Sequence, residues 1–107
     1  MSITDLLKQA KDVQARANAM QEALGQIEAE GVAGAGLVRL VLNGKAELKS
    51  LWIDPSLLRP DGREVVQDLV VAAHTDAKTK VEGRVAEEMQ KLARDMGLPP
   101  GMVPGLG

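Results

Sequence analysis

The sequence predicts an α+β fold with two layers, in which two long helices flank a three-stranded antiparallel meander in the order α-β-β-β-α. Three observations support this prediction. Apolar residues recur at helical spacing over residues 6–27 and again over residues 66–96, with short runs typical of strands between these two segments. Turn-forming residues divide the middle part near residues 31–36, 43–44 and 54–55.

The first helix is predicted to begin at Ser2, whose hydroxyl can accept a hydrogen bond from an orphan backbone N–H, with Asp5 completing a capping box. The apolar residues that follow are separated alternately by four and three positions, which suits packing along another helix at a shallow angle. This apolar seam lies either on the sheet and second helix of the same chain or against a second copy. It comprises Leu6, Ala10, Val13, Ala17, Met20, Leu24 and Ile27.

Three strands are predicted over residues 28–33, 37–42 and 46–53. Asn43-Gly44 is the strongest short signal for a hairpin turn between the second strand and the third. Asp54-Pro55 ends the third strand, because proline has no N–H to donate to a ladder. The chain between the helices is therefore expected to form a meander.

The third strand contains a break in its side-chain pattern. Leu48 is expected on the helix-facing side of the sheet, but Leu51 has the opposite parity. We predict a β-bulge near Lys49-Ser50, because one extra residue moves every later side chain to the other face. The bulge places Trp52 on the face away from the helices, either as an exposed contact residue or packed on Arg39 or a neighbouring chain.

The second helix is predicted to begin at Asp61 and to end near Asp95, before Gly97 and two prolines. At about 1.5 Å per residue it spans on the order of 50 Å. That length exceeds the diameter of a compact domain of this size, so one end should project or lie against another subunit. Gly83 interrupts the helix at a cost of up to about 1 kcal/mol relative to alanine and is a position where it can bend.

Length and composition indicate a single domain over residues 1–97, followed by a Pro/Gly-rich tail at 98–107. The chain contains one Trp, no Phe, no Tyr and no Cys. Its core must therefore rely on small aliphatic side chains, and association with a second copy would compensate for the limited burial. We find no signal-peptide pattern and no apolar run near 18 residues, so we expect a cytoplasmic protein that does not enter a membrane.

Catalytic and metal-binding patterns are weak. His74 is the only histidine and there is no cysteine, so the usual nucleophile–base sets and His-based metal sites cannot be assembled. We interpret His74 as a partly buried helix histidine. The glycines of residues 31–36 lack the Gly-Lys-Ser/Thr ending of a phosphate loop. The sequence therefore predicts no enzyme, no metal, no cofactor and no small-molecule substrate.

Four segments, one at the end of residues 31–58 and three outside that stretch, have together with the rest of residues 31–58 an order and spacing that resemble one known family. They are Leu6-Leu7-Lys8-Gln9-Ala10-Lys11, Ile53-Asp54-Pro55-Ser56-Leu57-Leu58, Ala72-Ala73-His74-Thr75-Asp76-Ala77 and Gly97-Leu98-Pro99-Pro100-Gly101-Met102. The chain resembles the YbaB/EbfC family of bacterial nucleoid-associated, DNA-binding proteins over nearly its whole length. The resemblance implies a nucleoid homodimer whose helical arms approach duplex DNA with little sequence selectivity.

The formal net charge of −2 is the first observation against binding to nucleic acid. A domain that contacts phosphates usually carries a positive net charge. A slightly acidic protein can still bind DNA when its basic side chains gather on one face. The candidates for phosphate contact are Lys8, Lys11 and Arg16 on the first helix and Lys78, Lys80, Arg84, Lys91 and Arg94 on the second. The alternative is an ordinary solvated face, since carboxylates are interleaved with these residues.

The expected partners are duplex DNA and a second copy of the chain. For the dimer interface we predict Leu6, Ala10, Val13, Ala17, Met20 and Trp52. The competing function is a dimeric scaffold that holds another protein through its helices and an exposed strand edge, with no direct contact to DNA.

Overall fold

The computed structural model describes residues 2–95 and 97, and within them it has the predicted order α-β-β-β-α. The three strands form one antiparallel sheet in the order β1-β2-β3. The predicted tail lies outside the described residues. The elements are α1 (Ile3–Gln26), β1 (Glu28–Ala33), β2 (Val38–Asn43), β3 (Leu48–Ile53) and α2 (Arg63–Asp95), with short 3-10 turns at Pro55–Leu57 and Pro60–Gly62.

The helix ends follow local signals. Ser2 caps α1, and its Oγ accepts a hydrogen bond from the backbone N–H of Asp5 at 3.2 Å, as the capping prediction requires. The start of α2 was predicted two residues too early. Pro60 begins a separate 3-10 turn that contains Asp61, and regular α-helix follows only from Arg63. From there α2 is helical as far as Asp95, through Gly83.

The predicted bulge in β3 is confirmed. Leu42 pairs with Leu48 and Val41 pairs with Ser50, so Lys49 is the extra residue. Leu48 and Leu51 therefore both lie on the helix side of the sheet, where they line a cleft against α2. Trp52 pairs with Arg39 on the opposite face and is 48 % exposed.

Asn43 explains why β3 begins at Leu48 and not at the predicted Ala46. Its side chain is buried, and Oδ1 accepts hydrogen bonds from the backbone N–H groups of Lys45 and Glu47 at 3.0 and 2.9 Å. The Nδ2 group donates to Glu47 Oε1 at 2.8 Å, which is the main reason that the pKa of this carboxyl is lowered. Residues 44–46 thus form a closed turn before the ladder resumes, with Ala46 at a φ of 63°.

Gly44 is required by close packing and not by a positive φ. Its N–H donates to the carbonyl oxygens of Leu24 and Ile27, at 3.0 and 2.8 Å. A Cβ on Gly44 would lie 2.5 Å from the Leu24 oxygen, which is far inside contact distance. The Asn43-Gly44 hairpin therefore also anchors the C-terminal end of α1 to the sheet.

The core lies between the helix-facing side of the sheet and the middle of α2. Its buried residues are aliphatic: Ala29, Val38, Leu40 and Leu42 from the strands and Ala73, Ala77 and Val81 from α2. The closest approach is at Gly31 of β1, where a Cβ would lie 2.0 Å from the Ala73 carbonyl oxygen and 2.5 Å from the Ala77 nitrogen. The backbone of β1 therefore lies directly on α2, and only small residues fit on either side.

We expect Gly31→Ala to destabilise the protein by about 3 kcal/mol or more, because the new methyl group would overlap backbone atoms of α2 that cannot move independently. Urea unfolding followed by circular dichroism measures this loss. Gly83→Ala is the matched control: nothing lies within 4 Å of the added carbon, so we expect a gain of up to about 1 kcal/mol from helix propensity. Equal stability of the two variants would contradict the close packing at Gly31.

Candidate nucleic-acid interface

Helix α1 contacts the rest of the chain mainly near its C-terminal end. None of its residues is buried. Met20, Leu24 and Ile27 are half-buried and face Met89 and Leu92 of α2 across an open apolar cleft of about 630 Å³. The apolar seam therefore faces its own chain only in its last part.

The first part of the seam is solvent-exposed in the isolated chain. Leu6 is 51 % exposed and Val13 is 67 % exposed, and Ala10 and Ala17 are also exposed. A helix with an uncovered apolar stripe is stabilised by partners and not by its own chain. The packing of α1 thus leaves room for a second molecule along this stripe.

Lys8 and Lys11 extend from the side of α1 that is turned away from the seam. Each residue of a helix is rotated by about 100° from the one before it, so two residues three positions apart differ by about 300°, which leaves about 60° between them around the helix. Both are exposed, and neither takes part in any of the ion pairs within 4.0 Å found among residues 2–95 and 97. Their ammonium groups are therefore available to an external anion. Arg16, in contrast, lines the cleft between α1 and α2, where Glu88 also lies.

Lys80 and Arg84 contact the sheet. Lys80 Nζ donates to the carbonyl oxygen of Glu30 at 3.2 Å and to Asp76 Oδ2 at 2.8 Å. Arg84 donates to the carbonyl oxygen of Glu28. Asp76 Oδ2 also accepts the backbone N–H of Val32 at 3.0 Å.

We call Asp76, Lys80 and Arg84 the edge cluster, because together they bond backbone groups on the free edge of β1. Alternate residues of a strand direct their N–H and C=O groups to the same side, and those of residues 28, 30 and 32 point away from β2. Three of these outward groups are bonded by side chains placed one helical turn apart on α2. The edge of β1 is thereby covered, and two predicted phosphate contacts already have structural partners.

The hydrogen bonds of the edge cluster lower the pKa of the Asp76 carboxyl group. The hydrogen bond from Lys80 is the largest reason that the pKa of Asp76 is lowered, and the hydrogen bond from the Val32 N–H acts in the same direction. The role of Asp76 was not predicted from the sequence. The only signal available was the spacing of one acidic and two basic residues by four positions on α2.

The remaining candidates on α2 do not form a single cluster. Lys78 lies beside His74 and Glu82 in a cleft of about 600 Å³ at the end of the hairpin, whereas Lys91 and Arg94 are exposed near the end of α2. His74 is exposed and not partly buried as predicted, because it lies between two open clefts, one against β3 and one at the end of the hairpin. One chain thus brings together Lys8 with Lys11 and Lys80 with Arg84, and it does not bring these two pairs into one patch.

Over residues 2–95 and 97, we find no group of three or more histidine, aspartate or glutamate side chains placed to hold a metal ion. Neither α1 nor α2 contains a stretch that is both long and apolar enough to cross a bilayer.

Comparison with known proteins decides the family. A family model described as the YbaB/EbfC DNA-binding family matches residues 1–96. The chain belongs to the YbaB/EbfC DNA-binding family. The resemblance predicted from the sequence is therefore confirmed.

Curated relatives of this YbaB/EbfC protein are named nucleoid-associated proteins. One from Granulibacter bethesdensis is 50 % identical over 101 residues, which cover 94 % of each chain. Another, from Bradyrhizobium sp. strain BTAi1, is 48 % identical over 96 residues, 90 % of this chain and 91 % of the relative. Neither these names nor the description of the family indicates an enzyme.

A solved structure shares the fold. The crystal structure of an uncharacterized protein from Helicobacter pylori superposes with a TM-score of 0.62 at 27 % identity, covering 90 % of this chain and 97 % of that one. The YbaB/EbfC chain therefore has a fold that is already known from experiment.

The edge cluster predicts an acid dependence of stability. Because the pKa of Asp76 is lower in the folded protein than its ordinary value of 3.8, the carboxylate stabilises the fold fully above that value, and this contribution is lost as pH falls through the lower folded pKa. We expect Asp76→Asn to lose less stability than the wild type between pH 5 and pH 2 in urea unfolding. The same loss in both proteins would contradict this role of Asp76.

Proposed function

We propose that this protein is a non-enzymatic, nucleoid-associated homodimer of the bacterial cytoplasm that binds duplex DNA. The contacts are mainly to phosphate, with little sequence selectivity. Membership of the YbaB/EbfC DNA-binding family carries this proposal, and the relatives named as nucleoid-associated support it. The structure adds a surface of suitable chemistry, namely the exposed lysines of α1.

Lys8 and Lys11 are the primary candidates for phosphate contact. They lie on a helix that is uncovered along its first half, without ion-pair partners in the part of the chain that the structure describes. Lysine binds phosphate as a point charge and releases condensed counterions from the duplex, which gives affinity without base readout. A salt-sensitive mode of binding follows from this chemistry.

The other basic candidates have different environments. Lys78, Lys91 and Arg94 are exposed on α2, and Arg16 borders the apolar cleft. We propose that these four make supporting contacts with DNA. Lys80 and Arg84 already donate to β1, although a guanidinium has five N–H donors and Arg84 retains some for a phosphate.

A second copy of the chain is part of the proposal for two reasons. The core of the described residues contains aliphatic side chains and no aromatic one, and apolar side chains of α1 and of the sheet are exposed in the single chain. Two copies also present Lys8 and Lys11 twice, which raises the local positive charge of a chain whose net charge is −2. The proposed contacts between copies are the α1 residues Leu6, Ala10, Val13, Ala17 and Met20, together with Trp52 of the sheet.

The scaffold function remains the second candidate, and the exposed apolar stripe of α1 favours it. Salt titration separates the two functions. Binding to duplex DNA through phosphates gives a steep fall of affinity with salt, by about 0.9 in logarithmic slope for each phosphate contact. A slope near zero would favour the scaffold.

We expect the double variant Lys8→Glu, Lys11→Glu to weaken binding of duplex DNA about tenfold or more at low salt and to reduce the salt slope by about 1 for each lysine. Gel retardation and fluorescence anisotropy across a salt series measure both effects. Binding weakens because the double variant loses two proposed phosphate contacts and because its two glutamates repel the phosphate backbone of the DNA.

The matched control is Lys45→Glu with Arg59→Glu, which changes the net charge equally at exposed positions outside the proposed surface. This control should bind substantially more tightly than the α1 variant and should keep the wild-type slope. Equal weakening by the two double variants would mean that only the total charge matters, and unchanged binding by the α1 variant would remove Lys8 and Lys11 from the interface.

A further inference from the structure

The open cleft between α1 and α2, which we call the helix cleft, is lined mainly by apolar side chains. Two of its lining residues, Arg16 and Glu88, are charged. The others are apolar and come from both helices: Ala19, Met20, Ala23, Leu24 and Ile27 of α1 and Met89 and Leu92 of α2. Because apolar surface in contact with water is unfavourable, a cleft of this composition suits an uncharged, apolar occupant.

The residues that follow α2 have matching chemistry. Residues 98–107 are Leu-Pro-Pro-Gly-Met-Val-Pro-Gly-Leu-Gly and contain no charged or polar side chain. Their larger apolar side chains are Leu98, Met102, Val103 and Leu106. Transfer of these side chains from water to an apolar site is favourable.

The end of α2 has the geometry that turns a chain back along its helix. Gly97 has a φ of 74°, and its N–H donates to the carbonyl oxygen of Arg94 at 3.0 Å. A left-handed glycine with this bond is typical of a Schellman ending, in which the residue after the glycine often makes a hydrophobic contact with the last turns of the helix. In this chain the contact would join Leu98 to Leu92 or Ala93.

Exposure at the end of α2 agrees with such a contact. Ala93 is 2 % exposed, although it does not belong to the core cluster between the sheet and α2. Leu92, one position earlier, lines the helix cleft and is 42 % exposed. A shielded position therefore lies beside an apolar surface that is still open to water.

We propose that residues 98–106 turn back at Gly97 and pack into the helix cleft, so that the tail of the chain joins α2 to α1. This inference depends neither on DNA binding nor on the homodimer. A segment tethered beside its site is present at a high effective concentration, which favours it over a free partner of the same chemistry.

The tail is long enough to span the cleft. The lining on α1 extends from Arg16 to Ile27, or about 16 Å along the helix axis. Ten residues in polyproline form cover about 31 Å. Pro99, Pro100 and Pro104 favour this form, and they have no N–H group that burial would leave without a partner.

The helix cleft adjoins the apolar seam of α1 but does not include its first part. The tail would cover the seam at Leu24 and Ile27, whereas the part from Leu6 to Ala17 remains open to a second copy. Met20 lies between the two parts and can adjoin both. Helix α1, which contacts the rest of the chain mainly near its C-terminal end, would gain a second attachment that fixes its direction.

Nitroxide labelling in the full-length chain tests the position of the tail. The chain contains no cysteine, so Gly101→Cys gives a single attachment site and keeps every apolar side chain of the tail. The probes are the carbon-13 methyl signals of Met20 and Met89, which line the helix cleft. An excess of unlabelled wild type ensures that label and probes lie on one chain. We expect both signals to lose most of their intensity and to recover it when the nitroxide is reduced.

Leu58→Cys is the matched control for the label. Leu58 is 65 % exposed and precedes α2, and about 39 Å of helix separates Arg63 from Met89. A nitroxide at position 58 should therefore leave both methyl signals unchanged. Full intensity of both signals with the label at position 101 would overturn the proposal.

A second sample assigns the tail to its chain. In this sample the nitroxide and the methyl probes are on different copies of the protein. Loss of intensity in this sample alone would assign the helix cleft to the tail of a second copy, and it would overturn packing within one chain.

A substituted tail tests the same contact without a label. Leu98→Ser with Leu106→Ser keeps the length of the tail and removes two of its apolar side chains. We expect this variant to shift the methyl signals of the two cleft methionines. Leu58→Ser with Val71→Ser is the matched control, because it makes the same kind of change at exposed positions outside the cleft. Circular dichroism establishes that both variants are folded. Unshifted signals in the tail variant, or equal shifts in the two variants, would overturn the proposal.

Discussion

The contact between the backbone of β1 and the middle of α2 determines most of what the rest of the molecule can do. At Gly31 the strand approaches Ala73 and Ala77 so closely that no Cβ fits between them. This distance brings the next turns of α2 within reach of the outer groups of β1, where Asp76, Lys80 and Arg84 bond them. Small residues in the core and long polar side chains at the edge are thus parts of one arrangement, in which β1 is closed to other strands.

Because α2 covers the β1 side of the sheet, the surfaces that remain uncovered lie elsewhere. They include the edge of β3, the face of the sheet that carries Trp52, and the first half of α1, which is attached to the sheet mainly through Gly44 and the cleft near Met20. In the first half of α1 the exposed apolar seam and the exposed lysines lie on different sides of the helix, so one side is suited to self-association and the other to an external partner. The proposed dimer and the proposed DNA surface are therefore compatible in one molecule.

Local signals predicted the fold well. The cap at Ser2, the change of parity between Leu48 and Leu51, and the proline after Asp54 act over a few residues, so the sequence contains all the information they need. The Asn43-Gly44 turn was also found, but its second role was not. Gly44 is needed where Leu24 approaches, and a contact between residues that are 20 positions apart has no local pattern.

The basic residues were less predictable for the same reason. Lys80 and Arg84 have the same spacing on α2 whether they face solvent, phosphate or a strand 50 or more residues earlier in the chain. Helical periodicity gives the face on which a side chain lies, and only the packing of α2 on β1 gives its partner. His74 was misjudged similarly, since its exposure depends on the open clefts that remain between α2 and the sheet.

Amide hydrogen exchange in β1 tests the central contact most directly. The N–H groups of Glu30 and Val32 both point outward, but only that of Val32 has a bonding partner in the described part of the chain, the carboxylate of Asp76. We predict that the Val32 amide exchanges much more slowly than the Glu30 amide under native conditions, and that Asp76→Ala removes the difference. Equal exchange at the two positions in the wild type would contradict the covering of β1 by α2.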